Sequence, residues 1–260
     1  MRPEFSRSAM LLGEENIEKL GQKRVAVFGL GGVGSFAAEA LARTGVGKFR
    51  LVDGDTVCVT NINRQLIADQ DTVGQPKAAV MAQRILRINP EAEIDARQVF
   101  YLPGEGEDLL AGCDYVIDAV DTVAAKLSLA EDCFRRGIPL ISAMGAGNKT
   151  DPTRFRVADI FETSVCPLCR VMRRELKRRG VPRLKVVYSD EEPLTPGPPL
   201  ACGDCRCCPA ADTPKATGGK RQTPGSLIFV PSACGLLAAR EAVFDLLKEL
   251  PDTGHMVLYP

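Results

Sequence analysis

The sequence has no tryptophan, few aromatic side chains of any kind, and a single histidine, His255. With one imidazole, catalytic triads and metal sites that need several histidines are excluded. Net charge is absent too. The 33 basic residues balance 33 acidic ones, so any contact with a polyanion must come from a local cluster. There is no long apolar run. The greasiest stretch, residues 227–239, contains Pro231 and Gly235 and is too short to span a bilayer. Residues 1–20 lack the apolar core of a signal peptide. A soluble, cytoplasmic protein is expected, long enough for a sizeable α/β core.

What the chain does have is alternation. Residues 24–29 and 48–53 read as buried strands, with an alanine- and leucine-rich helix over 32–44 between them. A second helix over 75–88 is stopped by Asn89-Pro90. Residues 94–100, 115–119 and 139–144 read as further strands, with a helix over 124–136. Strands separated by helical crossovers imply a Rossmann-like α/β fold, a mainly parallel sheet with helices on both faces. After Gly147 the pattern loosens into an irregular C-terminal third. Strands over 154–160 and 184–188 flank a basic helix over 167–179. Residues 190–224, rich in Pro, Gly, Cys and Thr, read as an insertion loop. A strand over 226–231 and a helix over 234–250 close the chain. The expected organisation is one domain over 1–260: a helical segment 1–20, a nucleotide-binding core 21–150, and a substrate or dimer region 151–260.

Gly29-Leu30-Gly31-Gly32-Val33-Gly34 follows the first strand and opens a helix, a context in which backbone amides approach phosphates closely. Asp53, ending the next strand, suits ribose hydroxyls. Asp55, Asn61, Arg64, Gln65 and Lys77 follow in quick order, and Arg64 and Lys77 offer a fork and a point charge to a polyphosphate. Asp121 lies just beyond a parallel strand, where open α/β sheets bind ligands, and is a sensible magnesium ligand. Singly, each charge is an ordinary surface residue; their joint order points to ATP.

From Val25 to about Asn148 these motifs resemble the superfamily of ubiquitin-activating, molybdopterin-synthase-activating and thiamine-sulfur-carrier-activating adenylyltransferases. The resemblance implies that Gly31, Gly32 and Asp53 hold ATP, that Asn61, Arg64, Gln65 and Lys77 surround its ribose and phosphates, and that Asp121 holds Mg²⁺. It further implies that Arg7 reaches the ATP of a partner subunit in a homodimer. Within the superfamily, Leu41-Ala42-Arg43-Thr44-Gly45-Val46-Gly47, Val57-Cys58-Val59-Thr60 and Gly145-Ala146-Gly147-Asn148-Lys149-Thr150-Asp151-Pro152 are similar to the tRNA threonylcarbamoyladenosine dehydratases. That family adenylates a threonyl carboxylate on tRNA and closes a ring with loss of water. An activator of a ubiquitin-like sulfur-carrier protein is the alternative, and a non-catalytic nucleotide-binding or redox-sensing module is a third reading that intact Arg64, Lys77 and Asp121 oppose.

Ten cysteines are unevenly spread. Cys58, Cys113 and Cys133 read as packing residues. Cys166-Pro167-Leu168-Cys169 and Cys202-Gly203-Asp204-Cys205 form two C-x-x-C pairs, with Cys207 and Cys208 as spares. Structural zinc on Cys166, Cys169, Cys202 and Cys205, redox-labile free thiols, and a catalytic cysteine or one serving a sulfur-relay protein partner all stay open. Arg173, Arg174, Lys177, Arg178 and Arg179 give the helix over 167–179 a basic face, either simply solvated or a contact for tRNA phosphates.

Overall fold

The structure is a computed structural model that describes residues 2–104, 106–198 and 224–248. Two short helices, α1 (Ser6–Leu12) and α2 (Glu14–Gln22), lead into β1 (Arg24–Phe28), α3 (Gly34–Thr44) and β2 (Lys48–Val52). Then come α4 (Lys77–Ile88), β3 (Glu93–Arg97), α5 (Gly106–Leu110), β4 (Tyr115–Asp118), α6 (Val123–Arg136) and β5 (Leu140–Ala143). The chain continues through β6 (Phe155–Asp159), α7 (Pro167–Arg178) and β7 (Lys185–Ser189) to α8 (Phe229–Leu247). The strands form one sheet of order β3-β2-β1-β4-β5-β7-β6, parallel except for β6 against β7. Strand order reverses at β1, which pairs with β2 on one side and β4 on the other. That reversal opens the crevice in which doubly wound sheets bind ligands.

Both faces of the sheet are covered. Val25 and Val27 of β1 join the core under α3, α4 and α8, whereas Ala26 and Phe28 join the core under α5 and α6. A third cluster joins Met172 and Leu176 of α7 to Val186 and Tyr188 of β7. The expected packing cysteines Cys58, Cys113 and Cys133 are all buried.

Two expected elements differ. The strand expected over 94–100 stops at Arg97. Val99 and Phe100 are apolar because they line a cavity at the end of the sheet, not because they pair within it. The strand expected over 226–231 is absent: 224–227 carry no regular structure and α8 begins at Phe229. Pro231 sits in the first turn of α8, where the missing N–H has no helical acceptor to lose. Residues 190–198 are irregular, as expected of the insertion. Its remainder, with Cys202, Cys205, Cys207 and Cys208, lies outside the described residues, as does His255.

α8 packs on α3 at close range because Gly235 has no side chain. A Cβ there would stand 2.3 Å from the Val33 carbonyl oxygen and 3.1 Å from the Ala37 nitrogen. Ala for Gly in a helix interior ordinarily stabilises by about 1 kcal/mol. Here the sign reverses: Gly235→Ala should destabilise by about 2 kcal/mol, as measured by denaturant unfolding. A stabilised variant would mean that the two helices do not pack at this distance.

Candidate functional site

A cavity of about 810 Å³ opens over the carboxyl ends of β1, β2, β4 and β5. Gly29, Gly31 and Gly32 form its floor, with Gly29 at φ +82°, a conformation natural to glycine. Gly34 does not line the cavity. A Cβ there would meet the Gly29 carbonyl oxygen at 1.8 Å, so it serves the close seating of α3 on β1.

The acid at the end of β2 is partly committed. Asp53 accepts hydrogen bonds from the Leu30 N–H at 2.6 Å and the Asp55 N–H at 2.8 Å, which fixes the glycine turn to the next strand. Burial raises its carboxyl above the ordinary value, against the opposing pull of Lys77 and of the two backbone donors. Lys77 starts α4 and donates to Asp55 Oδ2 at 2.9 Å with its side chain 7% exposed. Asn61 Oδ1 caps its own turn by accepting from the Cys58 N–H at 3.1 Å. Arg64 Nη1 donates to the Thr60 carbonyl and to Asn63 Oδ1, and burial lowers its guanidinium from the ordinary value without discharging it. Gln65 Oε1 is buried with no donor among the described residues. An orphaned acceptor on a cavity wall is a place for a ligand donor.

Asp121 stands exposed on the wall beyond β4, its Oδ1 accepting from Thr122 Oγ1 at 3.2 Å. Every expected nucleotide-site residue from Gly29 to Asp121 lines the cavity except Gly34. Arg7 lies apart from it, exposed on α1 beside Met10 and Leu11, which are 85% and 75% exposed.

Sequence reasoning missed two parts of the site. Phe100 lies against Gly54, where a Cβ would come within 2.6 Å of its ring, and Tyr101 anchors the same loop through a 2.6 Å bond to Asp132. Lys126, on α6, lines the cavity and is 1% exposed. The signal for it is a lysine set within an apolar stretch: Ala125, Leu127, Leu129 and Ala130 around it are all buried.

Cys166 caps α7 and Cys169 lies in its first turn, both buried. A hydrogen bond from the Cys169 thiol holds Cys166 below the usual thiol range, and Cys169 is raised in return. Among the described residues no group of three or more His, Cys, Asp or Glu is placed to hold a metal. On α7, Arg173 is half-buried and donates to the Thr163 carbonyl at 2.8 Å and to its hydroxyl, which removes it from the expected basic face. Arg174 and Arg178 both pair with Glu175, and Arg179 pairs with Glu131. Arg170 and Lys177 are exposed.

The ThiF family profile matches residues 5–256. The chain belongs to the ThiF family. Over 252 residues it is 47% identical to the tRNA threonylcarbamoyladenosine dehydratase of Bacillus subtilis, covering 96% of this chain and 97% of that one. The Escherichia coli dehydratase solved with ATP superposes with a TM-score of 0.81 at 36% identity, covering 95% of each chain, and a structure of the same enzyme with AMP also scores 0.81. The Escherichia coli molybdopterin-synthase adenylyltransferase is 37% identical over 157 residues, covering 60% of this chain and 63% of that one. The similarity to the Bacillus dehydratase therefore extends through the C-terminal third of this ThiF protein, and the match to the molybdopterin-synthase adenylyltransferase covers a smaller share of the chain.

The shifted Asp53 carboxyl gives a test by pH. Its raised folded value means that the protonated acid favours the folded state. That contribution is full below the unfolded value of about 3.9 and is lost as pH rises through the folded value. Asp53→Asn has no such proton, so its unfolding free energy minus that of the parent should grow as pH rises from about 3.5 to 7. Its ATP affinity should fall by about tenfold or more. A difference that stays flat with pH would show that burial does not strain this carboxylate.

Proposed function

We propose that this ThiF protein is an ATP-dependent tRNA threonylcarbamoyladenosine dehydratase. The observation that carries the reading is similarity to such dehydratases along the whole chain, combined with an intact Gly31, Asp53, Arg64, Lys77 and Asp121 set around one cavity. The glycine floor and the α3 N-terminus take the phosphates, and Asp53 takes the ribose. Arg64 and Lys77 stabilise charge at the α-phosphate while the threonyl carboxylate oxygen attacks it and pyrophosphate leaves. A nucleophilic atom of the same substrate then attacks the acyl carbon, closes a ring and expels AMP, so that one water is lost overall. Because that nucleophile is tethered, its effective concentration is high and no enzyme nucleophile is needed.

Asp121 fits magnesium: it offers one hard carboxylate on the cavity wall, and Mg²⁺ is commonly held by one or two carboxylates with phosphate oxygens. The ion would supply charge neutralisation between the phosphates. Cys166 and Cys169 fit half of a zinc site, and a full set would need Cys202 and Cys205, which lie outside the described residues. Arg7, apart from its own chain's cavity and next to exposed Met10 and Leu11, fits a homodimer in which α1 meets a second copy. No described helix is long and apolar enough to cross a membrane, and the cytoplasm, where tRNA is modified and used, is the proposed location.

Incubation with ATP, Mg²⁺ and tRNA carrying threonylcarbamoyladenosine should lower the mass of that nucleoside by one water. Asp121→Ala should lose roughly a hundredfold in rate, as removal of one preorganised charge partner does, with its thermal unfolding unchanged. An unchanged nucleoside mass with the parent protein would overturn the dehydratase reading.

The tRNA would lie along α7, whose first turn brings Leu168 into the cavity and whose outer face carries Arg170, Arg174, Lys177 and Arg178. Each neutralised phosphate adds roughly 0.7 to 0.9 to the log–log salt slope, so Arg170→Gln with Lys177→Gln should flatten it by about 1.5. ATP affinity should not change. An unaltered slope would mean that the basic face of α7 is only solvated.

A further inference from the structure

We propose that Lys126 is a positioning residue that holds the carboxylate-bearing turn of the cavity in register with the strand beside it. The proposal rests on the reading above, in which Asp121 takes Mg²⁺ with ATP.

Lys126 and Asp118 form an ion pair of 3.1 Å whose side chains are 1% and 0% exposed. The ammonium has three acceptors: Asp118 Oδ2, Ser142 Oγ at 3.3 Å and the Ala143 carbonyl oxygen at 2.7 Å. Ser142 Oγ in turn donates to Asp118 Oδ2 at 2.5 Å, and Asp118 Oδ1 accepts from the Val120 N–H at 3.1 Å. Each N–H of the lysine is used and both carboxylate oxygens are bonded, so the network is closed.

Its members come from three elements. Asp118 ends β4, its register partner Ser142 lies on β5, and Lys126 lies near the start of α6. The two strand ends tied together run straight into the cavity: Val120 and Asp121 from one, Met144 and Gly145 from the other. Stability alone does not account for the pair, since well-packed apolar groups commonly replace a buried ion pair at no loss. What a neutral replacement lacks is one head group that fixes two strand ends at once. A neutral group in place of Lys126 alone would in addition leave Asp118 a bare anion beneath the site of a polyphosphate. At 1% exposure Lys126 does not reach the phosphates; it acts through Asp118 and the turn to Asp121.

The test is the double variant Asp118→Asn with Lys126→Met, which removes both charges and nearly keeps side-chain length. Thermal unfolding and binding of a fluorescent non-hydrolysable ATP analogue are measured across a Mg²⁺ titration. Unfolding should stay within roughly 4 °C of the parent. The half-saturating Mg²⁺ concentration should rise about tenfold or more, as a displaced ligand turn requires, while binding without Mg²⁺ changes little. A folded double variant with the parental Mg²⁺ dependence overturns the proposal. If the double variant does not fold, Ser142→Ala decides: a Mg²⁺ shift of about threefold supports the network, and none overturns it. The assay contains no tRNA, so its outcome is independent of whether threonylcarbamoyladenosine is the substrate. A parent protein whose nucleotide binding ignores Mg²⁺ would remove the Asp121 assignment and this proposal together, leaving the dehydratase reading to the nucleoside mass.

Discussion

Gly34 and Gly29 meet with no space for a side chain between them: a Cβ on Gly34 would lie 1.8 Å from the Gly29 carbonyl oxygen. That approach brings the start of α3 directly over the end of β1, so the turn between them must fold into the crevice beside β4. The Asp53 carboxylate then reaches back to the Leu30 N–H and fastens the turn to β2. Gly32 closes on Pro231 of α8, where a Cβ would stand 3.1 Å from the proline ring carbon. Three sequence-distant segments thus share one tightly packed corner, and the cavity is what remains in front of it.

The charges around that cavity divide into those already satisfied and those left facing it. Asp53 spends its oxygens on two backbone donors, Lys77 is paired with Asp55, and Lys126 with Asp118. Asp121 and Gln65 retain unspent capacity: one is an exposed carboxylate, the other has a buried oxygen without a donor among the described residues. The bonds hold these groups in a rigid frame despite the burial that raises the Asp53 carboxyl, and Asp121 and Gln65 keep bonding capacity facing the cavity. A preorganised site of this kind need not reorganise its dipoles when charge builds during reaction.

Much of this is legible in the residues. The strand–glycine turn–helix order marks β1 and α3, and the spacing to Asp53, Arg64, Lys77 and Asp121 names most of the cavity wall, because short βα units place their loops at one end of the sheet. Errors arise where apolar residues serve something other than a strand. Val99 and Phe100 resemble a continuation of β3 but face a cavity, and Leu227 to Val230 resemble a strand but lead into α8. Lys126 shows in the sequence only as a lysine among apolar residues, and its network is hidden for a different reason. Its partners Asp118 and Ser142 are 8 and 16 residues away in sequence, and only the sheet pairing of β4 with β5 brings them together. Arg173 reads as part of the basic face of α7 because periodicity places it on the helix but does not reveal the Thr163 carbonyl that captures it.

The fit of Gly235 against Val33 has a temporal side. A ribosome makes the glycine turn early, yet the helix that backs it is the last one described in the chain. Pairing between elements so far apart is slow to form, since the intervening loop must close before the contact rewards it. The glycine turn therefore waits, unsupported on one side, until α8 has been made. A shortened product ending before α8 would carry the whole cavity-lining set from Gly29 to Asp121 and still lack the surface that holds the first of it in place.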